Sequence, residues 1–439
     1  MSTEKPVRFV ARPGGKLSGR LRVPGDKSIS HRSIMLGSLA EGETRISGFL
    51  EGEDSLATLA AFRAMGVAID GPDKGRVRIQ GVGLGGLKAP PAALYLGNSG
   101  TSMRLMSGLL AGQSFGTTLT GDASLSVRPM LRVVEPLASM GARIETHAGG
   151  TAPLVIHAAE GGLAGIDYSM PIASAQVKSC ILLAGLYASG RSCVTEPAPT
   201  RDHTERMLAG MGYPLARQPG RVCIEGGHRL NGIAIDIPAD ISSAAFFLVG
   251  ASIAPGSELL LEHVGMNPTR TGVIDILQRM GADIEVSNAH DVGGEPVADL
   301  RVRSAPLHGI DIPAELVPLA IDEFPVIFIA AACAKGRTVL TGAEELRVKE
   351  SDRIQVMADG LQTLGIHAEA TADGMIIAGG TPGSGHVDSH GDHRIAMAFS
   401  MAALRASGEI EISNCANVNT SFPGFVEQAG AAGLLIDVR

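Results

Sequence analysis

The sequence has no tryptophan, and aromatic residues make up only 3% of it, while 45% of the chain is hydrophobic. Aliphatic side chains must therefore build the cores, and there are enough of them for large helix-and-sheet layers. Cysteine is sparse. Cys180, Cys193, Cys223, Cys333 and Cys415 give an odd count with no CxxC pair. Most sit among small or apolar neighbours, which reads as reduced core residues. There is no basic excess: the net charge of -8 excludes broad nucleic-acid binding, so functional cations must be few and placed. Long apolar runs are also missing. The stretch Ala244–Ala254 is interrupted by Gly and Ser and falls short of the roughly 18 residues a membrane helix needs. The opening MSTEKPVRF lacks the apolar segment of a signal peptide. The expectation is a cytoplasmic protein with neither membrane nor nucleic acid as partner. Walker A, HExxH and zinc-type Cys spacings are absent. GVGLGG, from Gly81 to Gly86, fits GxGxxG by letter, but Pro90 and Pro91 follow where a helix is required.

What is present is repetition. A short phrase ending an apolar helical stretch in Gly recurs at Gly66, Gly141, Gly212, Gly281, Gly365 and Gly433, at intervals of 68 to 84 residues. Gly in that place is the usual left-handed helix stop. A second phrase, small and apolar residues ending in Gly, precedes each by 22 to 29 residues, at Gly42, Gly112, Gly190, Gly256, Gly336 and Gly408. A β-like run follows it each time. Each unit thus reads helix, strand, helix, strand, with further strand before the next. The first helix is apolar all round and the second amphipathic. Six such units divide three and three over a length that suits two or three domains. A solenoid is disfavoured, because its repeats are shorter, roughly 20 to 50 residues.

The starts of the six apolar helices are all polar: GDKSISHRS, GNSGTSMR, PIASAQVKS, PADISSAAF, IDEFPVIF and SHGDHRIAM. Helix capping accounts for the Ser, Asp and Asn. It does not call for Lys27, Arg32, Arg104, Lys178 or Arg394 beside them. A helix N-terminus with a nearby cation is an anion site. Arg128, Arg201, Arg270, Lys349 and Arg353 stand at the starts of the second helices, where a cation opposes the helix dipole. An anionic ligand would justify that placement, and an interdomain cleft lined with helix starts would collect it. Among these cations Asp322, Glu323 and Glu350 should stay ionised and can serve as a base or as ion-pair partners. HVDSHGDHR, residues 386–394, holds three His and two Asp, but its place at a helix start favours capping by Asp392 and His393, so no metal is expected.

The motifs PGDKSISHR, LGNSGTSMR, SVRPM, SAQVK, RDHTE, NPTR, RVKESDR and GDHRIAM together make the chain resemble the 3-phosphoshikimate 1-carboxyvinyltransferase (EPSP synthase) family along nearly its whole length. SAQVK, RDHTE and NPTR are similar to the second of its two sequence classes. The resemblance implies an α/β fold of two domains, each of three βαβαββ-like repeat units around pseudo-threefold symmetry, an inside-out α/β barrel. One domain would span 24–238. The other would join 1–23 to 239–439 and include the N-terminal strand, with hinges near Pro24 and Pro238. It also implies transfer of the enolpyruvyl group of phosphoenolpyruvate to the 5-hydroxyl of shikimate 3-phosphate, with no cofactor or metal, by a monomer.

By the same resemblance, shikimate 3-phosphate is held by Lys27, Ser28, Arg32, Ser174, Ala175, Gln176, Arg201, Asp322 and Lys349. Phosphoenolpyruvate is held by Lys27, Gly100, Arg128, Gln176, Arg353 and Arg394. Asp322 is the candidate base, with Lys27 and Glu350 handling protons at the methylene carbon. Both ligands are polyanions, and Arg reads phosphate and carboxylate in bidentate fashion. Two departures stand out. NTSFPGF lacks a Lys that some members carry before Phe-Pro, and Leu105, not Pro, follows Arg104. Two rival readings are a UDP-N-acetylglucosamine enolpyruvyl transferase and a non-catalytic anion-binding repeat protein. The first typically uses a Cys in the second unit, where this chain offers Ser124 and Ser126. Against the second stand Lys27, Asp322 and Glu350.

Overall fold

A computed structural model describes residues 7–439; the opening MSTEKP, part of the stretch read above as lacking an apolar run, lies outside them. The chain divides into two compact units, named here for their place in the sequence. The central unit is Gly25–Ile237 with Asp291–Glu295; the flanking unit is Met1–Pro24, Pro238–His290 and Pro296–Arg439.

Twelve helices carry the repeat. They are α1 (Lys27–Leu39), α2 (Glu53–Ala64), α3 (Gly100–Ala111), α4 (Leu131–Ser139), α5 (Ala175–Gly185), α6 (His203–Gly210), α7 (Ile241–Ile253), α8 (Gly272–Arg279), α9 (Phe324–Cys333), α10 (Arg353–Thr363), α11 (His393–Ala402) and α12 (Phe425–Ala432). A single turn of helix, Ala123–Ser126, precedes α4. The odd-numbered helices are the apolar ones: every residue of α7 is buried, as are nine of the ten in α9. The even-numbered ones bury one face, as α8 does with Val273, Ile274, Ile276 and Leu277. Each even-numbered helix is followed by its phrase glycine, and all six have positive φ, from +77° at Gly365 to +118° at Gly433. That conformation lets the chain turn at once into a strand, and a side chain there would be strained.

Each repeat forms its own small sheet of one plan. The strand after an odd helix runs antiparallel to a partner that also pairs with the strand after the even helix. In the first repeat Glu41–Ser47 pairs with Arg76–Val82, which pairs with Ala68–Asp73. Alternation puts Val77 and Ile79 inward and the arginines outward. A parallel strand completes the edge, and three such sheets borrow a strand from elsewhere. Ala234–Asp236 closes the first sheet, and Ser18–Leu21 joins Glu258–Gly265 in the fourth. Phe9–Arg12 lies between Ile410–Ser413 and Leu435–Val438 in the sixth. The fifth has three strands, with a bridge from Asp311 to Val339 at its edge. GVGLGG leaves the strand Arg76–Val82 as a loop and leads into no helix.

One expectation about cysteine is corrected. Cys193 and Cys223 face each other on the antiparallel strands Arg191–Thr195 and Arg221–Glu225, and they form a disulfide with Cα atoms 4.0 Å apart. They are separated by 30 residues, and only strand register brings them opposite, so spacing alone could not reveal the pair. Cys180 and Cys415 are buried thiols, and burial pushes both pKa values up, that of Cys415 to about 12. Among the described residues, no helix is long and apolar enough to cross a membrane.

Candidate active site

In the central unit the starts of α1, α3 and α5 carry the expected polar groups. Asp26 caps α1, Ser99 caps α3 and Ser174 caps α5, each accepting from a backbone N–H inside the first turn. Lys27 pairs with the buried carboxylate of Asp54 in the first turn of α2. Gly100 opens α3 against two guanidiniums: a Cβ built there would lie 3.3 Å from Arg128 Nη1 and 3.4 Å from Arg104 Nη1. Arg128 donates to Asn98 Oδ1 at 2.6 Å and to Ser124 Oγ at 3.3 Å. Arg104 donates to the amide oxygen of Gln176 and to the Pro129 carbonyl, while Gln176 donates to Thr101 Oγ1. Gly100, Arg128 and Gln176 are thus brought into one neighbourhood, around Arg104.

Two cations of the central unit are held from within. Arg32 is buried and donates to Thr204 Oγ1, the Ser28 carbonyl and Ser179 Oγ at 2.7–2.9 Å. Burial lowers its pKa to about 10, only partly offset by acids such as Glu205. Three of its five N–H groups are engaged by the fold, which leaves two for a ligand. Lys178 lies between Glu205 at 2.8 Å and Glu196 at 3.0 Å, in a buried cluster. The anion-site reading of Lys178 is therefore corrected: its partners are carboxylates of the chain. RDHTE is explained locally by the same contacts, since Thr204 orients Arg32 and Glu205 neutralises Lys178. Under this surface His31 is buried beside Thr58 Oγ1 at 2.8 Å and Ser102 Oγ at 3.2 Å. Burial, then Lys27 and Arg32, holds its pKa well below the usual imidazole value, so it stays neutral.

The flanking unit has the opposite composition. Charges alternate through it from α7 to α11. Asp240, the cap of α7, and Glu323 lie 3.2 and 3.6 Å from Arg270. Glu323 is 3.8 Å from Arg394, whose Nη1 donates to the Asp322 carbonyl at 2.8 Å. The Asp322 side chain is 3.4 Å from Arg353 and 3.5 Å from Lys349. Arg353, 1% exposed, is also 2.6 Å from Glu350 and 2.8 Å from Asp392. Burial alone would lower its pKa, but Asp392, Glu350 and Asp322 together raise it well above the ordinary arginine value. For Arg270 and Arg353 the anion that the helix dipole seemed to demand is thus supplied by the chain itself. Asp392 also caps α11, accepting from Arg394 N at 2.9 Å. Among the described residues no three His, Cys, Asp or Glu side chains converge as a metal site.

The motif reading did not single out Asp54, Asn98 or Thr101, which position Lys27, Arg128 and Gln176. Their signal was weak, because an acid, an amide and a hydroxyl near helix starts read equally well as caps. Chemically the polar groups of the two units differ. In the central unit Arg32, Arg104 and Arg128 donate to neutral oxygens, while Lys27 and Lys178 face carboxylates. The flanking unit offers carboxylates fixed by arginines, suited to moving protons.

The chain matches the family described as EPSP synthase (3-phosphoshikimate 1-carboxyvinyltransferase) over residues 11–429. It is 73% identical over 431 residues to a 3-phosphoshikimate 1-carboxyvinyltransferase of Alkalilimnicola ehrlichii, covering 98% of this chain and 96% of that one. It is 70% identical over 435 residues to that of Methylococcus capsulatus, covering 99% of each. An EPSP synthase structure from Acinetobacter baumannii superposes with a TM-score of 0.89 at 58% identity, over 99% of this chain and all of the other. The likeness spans both units and every repeat, and on it the chain belongs to the EPSP synthase family, the 3-phosphoshikimate 1-carboxyvinyltransferases.

Proposed function

We propose that Asp322 is the general base of this enzyme, which transfers the enolpyruvyl group of phosphoenolpyruvate to the 5-hydroxyl of shikimate 3-phosphate and releases phosphate. The supporting observation is the placement of its carboxylate between Lys349 and Arg353. The two cations hold the carboxylate in place, where it can accept a proton from a neighbouring hydroxyl. Lys27 and Glu350 handle protons at the methylene carbon, which gains one when the hydroxyl oxygen adds and loses one when phosphate leaves. Shikimate 3-phosphate engages Lys27, Ser28, Arg32, Ser174, Ala175, Gln176, Arg201, Asp322 and Lys349. Phosphoenolpyruvate engages Lys27, Gly100, Arg128, Gln176, Arg353 and Arg394. The enzyme works as a monomer in the cytoplasm. Phosphate release from phosphoenolpyruvate, with shikimate 3-phosphate and UDP-N-acetylglucosamine offered separately, tests the acceptor. Release with the nucleotide sugar alone would overturn this reading.

Arg128→Ala should chiefly weaken the use of phosphoenolpyruvate. A charge-assisted hydrogen bond contributes roughly 1.5–3 kcal/mol, so kcat/KM for this substrate should fall by about 10- to 150-fold. Shikimate 3-phosphate affinity, measured by calorimetry, should move far less.

Glyphosate competes with phosphoenolpyruvate in this family, and Gly100 bears on that competition. Its missing Cβ is the space beside Arg128 and Arg104. A methyl there pushes both guanidiniums back by a few tenths of an ångström and narrows the pocket for the longer inhibitor. The second-class motifs point to tolerance and the local glycine to sensitivity; sterics act at the contact, so the enzyme should be inhibited. In Gly100→Ala the ratio of glyphosate Ki to phosphoenolpyruvate KM should rise by at least about tenfold. An unchanged ratio would place Gly100 away from the inhibitor.

A further inference from the structure

The two units end their buried helices differently, although the repeat phrase aligns them. LLAGLYASG closes α5 in the central unit, and MAALRASG follows α11 in the flanking unit. Read against each other, the phrases place Tyr187 opposite Arg405. Tyr187 fills its position: its ring covers Gly112 at the end of α3, so closely that a Cβ built on Gly112 would meet the ring at 2.3 Å. At the corresponding end of the flanking unit lies a cavity of about 630 Å³. Its wall is the ends of α7 and α9 and the turn after α11.

The lining has a definite chemistry. Ile253, Pro255, Pro306 and Leu307 give it an apolar side, while Lys335 and Arg405 give it two cations. No carboxylate lines it, in a chain whose acids outnumber its bases. Neither side chain has a hydrogen bond or ion pair among the described residues, although Arg405 is partly buried while Lys335 is exposed. The usual task of a cation at a helix end is to satisfy the last carbonyls. Here backbone groups do so already: Gly250 O takes Ala254 N, Ser252 O takes Ala305 N, Ala331 O takes Ala334 N and Ala332 O takes Gly380 N. The volume lies in the range of small-molecule pockets.

We propose that this cavity of the flanking unit binds a small organic carboxylate with an apolar body, its acid group between Arg405 and Lys335. The cavity lies wholly within the flanking unit and shares no residue with the proposed substrate contacts. Cys333, which also lines the cavity and is partly exposed, supplies a local reporter; burial pushes its thiol up to about 12, so it alkylates slowly.

The test uses the whole chain saturated with shikimate 3-phosphate and glyphosate, so that the substrate pocket is filled. Benzoate and phenylpyruvate are the probes, and inorganic phosphate is the control without an apolar body. Saturable binding of a probe is expected at about 1 mM or tighter, with alkylation of Cys333 slowed in proportion to occupancy. Arg405→Tyr, which installs the residue of the central unit, should weaken that binding by at least about tenfold and leave enolpyruvyl transfer unchanged. Arg405→Gln serves the same purpose should the larger residue prevent folding. No saturable binding of either probe, binding indifferent to both variants, or phosphate binding as well as the probes would each overturn the proposal.

Discussion

Asp322→Ala should lower turnover by about a hundredfold or more while shikimate 3-phosphate still binds measurably. The base removes the proton of the attacking hydroxyl, a contribution made as the bond forms, so kcat carries the loss. Asp322 also has a scaffold role, since its carboxylate faces Lys349 and Arg353. Asp322→Asn separates the two roles. The amide can still accept from Arg353 but cannot take a proton at neutral pH. Equal losses of kcat in both variants, with ligand affinity by calorimetry changed little, mark a base. Full turnover in Asp322→Asn would mean that the side chain only positions its neighbours, and the assignment would fall.

The second large effect concerns stability. Arg353→Gln removes the cation shared by Asp392, Glu350 and Asp322, and leaves carboxylates crowded in a poorly solvated place. Breaking a buried pair from one side costs about 3–5 kcal/mol. The raised pKa of Arg353 means that its contribution is complete below the ordinary arginine value, hence at every pH where the enzyme is handled. The pH dependence of the variant comes from the acids left behind. Deprived of their cation, they bind protons more readily in the folded chain than in the unfolded one. The deficit should therefore narrow as pH falls from 7 toward the ordinary carboxylate range, about 4. Thermal melting of both proteins across that range checks it. A deficit that widens on acidification would show that the carboxylates do not depend on Arg353.

The fold was legible because it repeats. Six phrase glycines with one conformation, each after an amphipathic helix, are a pattern that no single strand or turn could have provided. The helix starts likewise marked the candidate site proposed here, since Lys27, Gly100, Asp322 and Arg394 stand there and capping does not call for them. What remained hidden depended on distance in three dimensions. Arg270 and Lys178 carry the same local signal as Arg128, yet carboxylates of other segments neutralise both. Glu323 and Glu205 come from other segments, and nothing beside the arginine or lysine says which cation each acid will meet. The Cys193–Cys223 pair was missed for the same reason, because register between strands is not written at either cysteine.

The borrowed strands impose an order on synthesis. All but five residues of the central unit lie between Gly25 and Ile237, and its first sheet is complete once Ala234–Asp236 has emerged from the ribosome. The flanking unit cannot finish so early. Phe9 pairs with Val438, so its strand must wait for one made more than 400 residues later. At about 5–20 residues per second that interval is roughly 20–90 s. Throughout it Phe9–Arg12 is a nascent strand with both edges open. Such an edge invites pairing with another chain, which makes a finished central unit tethered to an unclosed flanking unit the species that chaperones would meet.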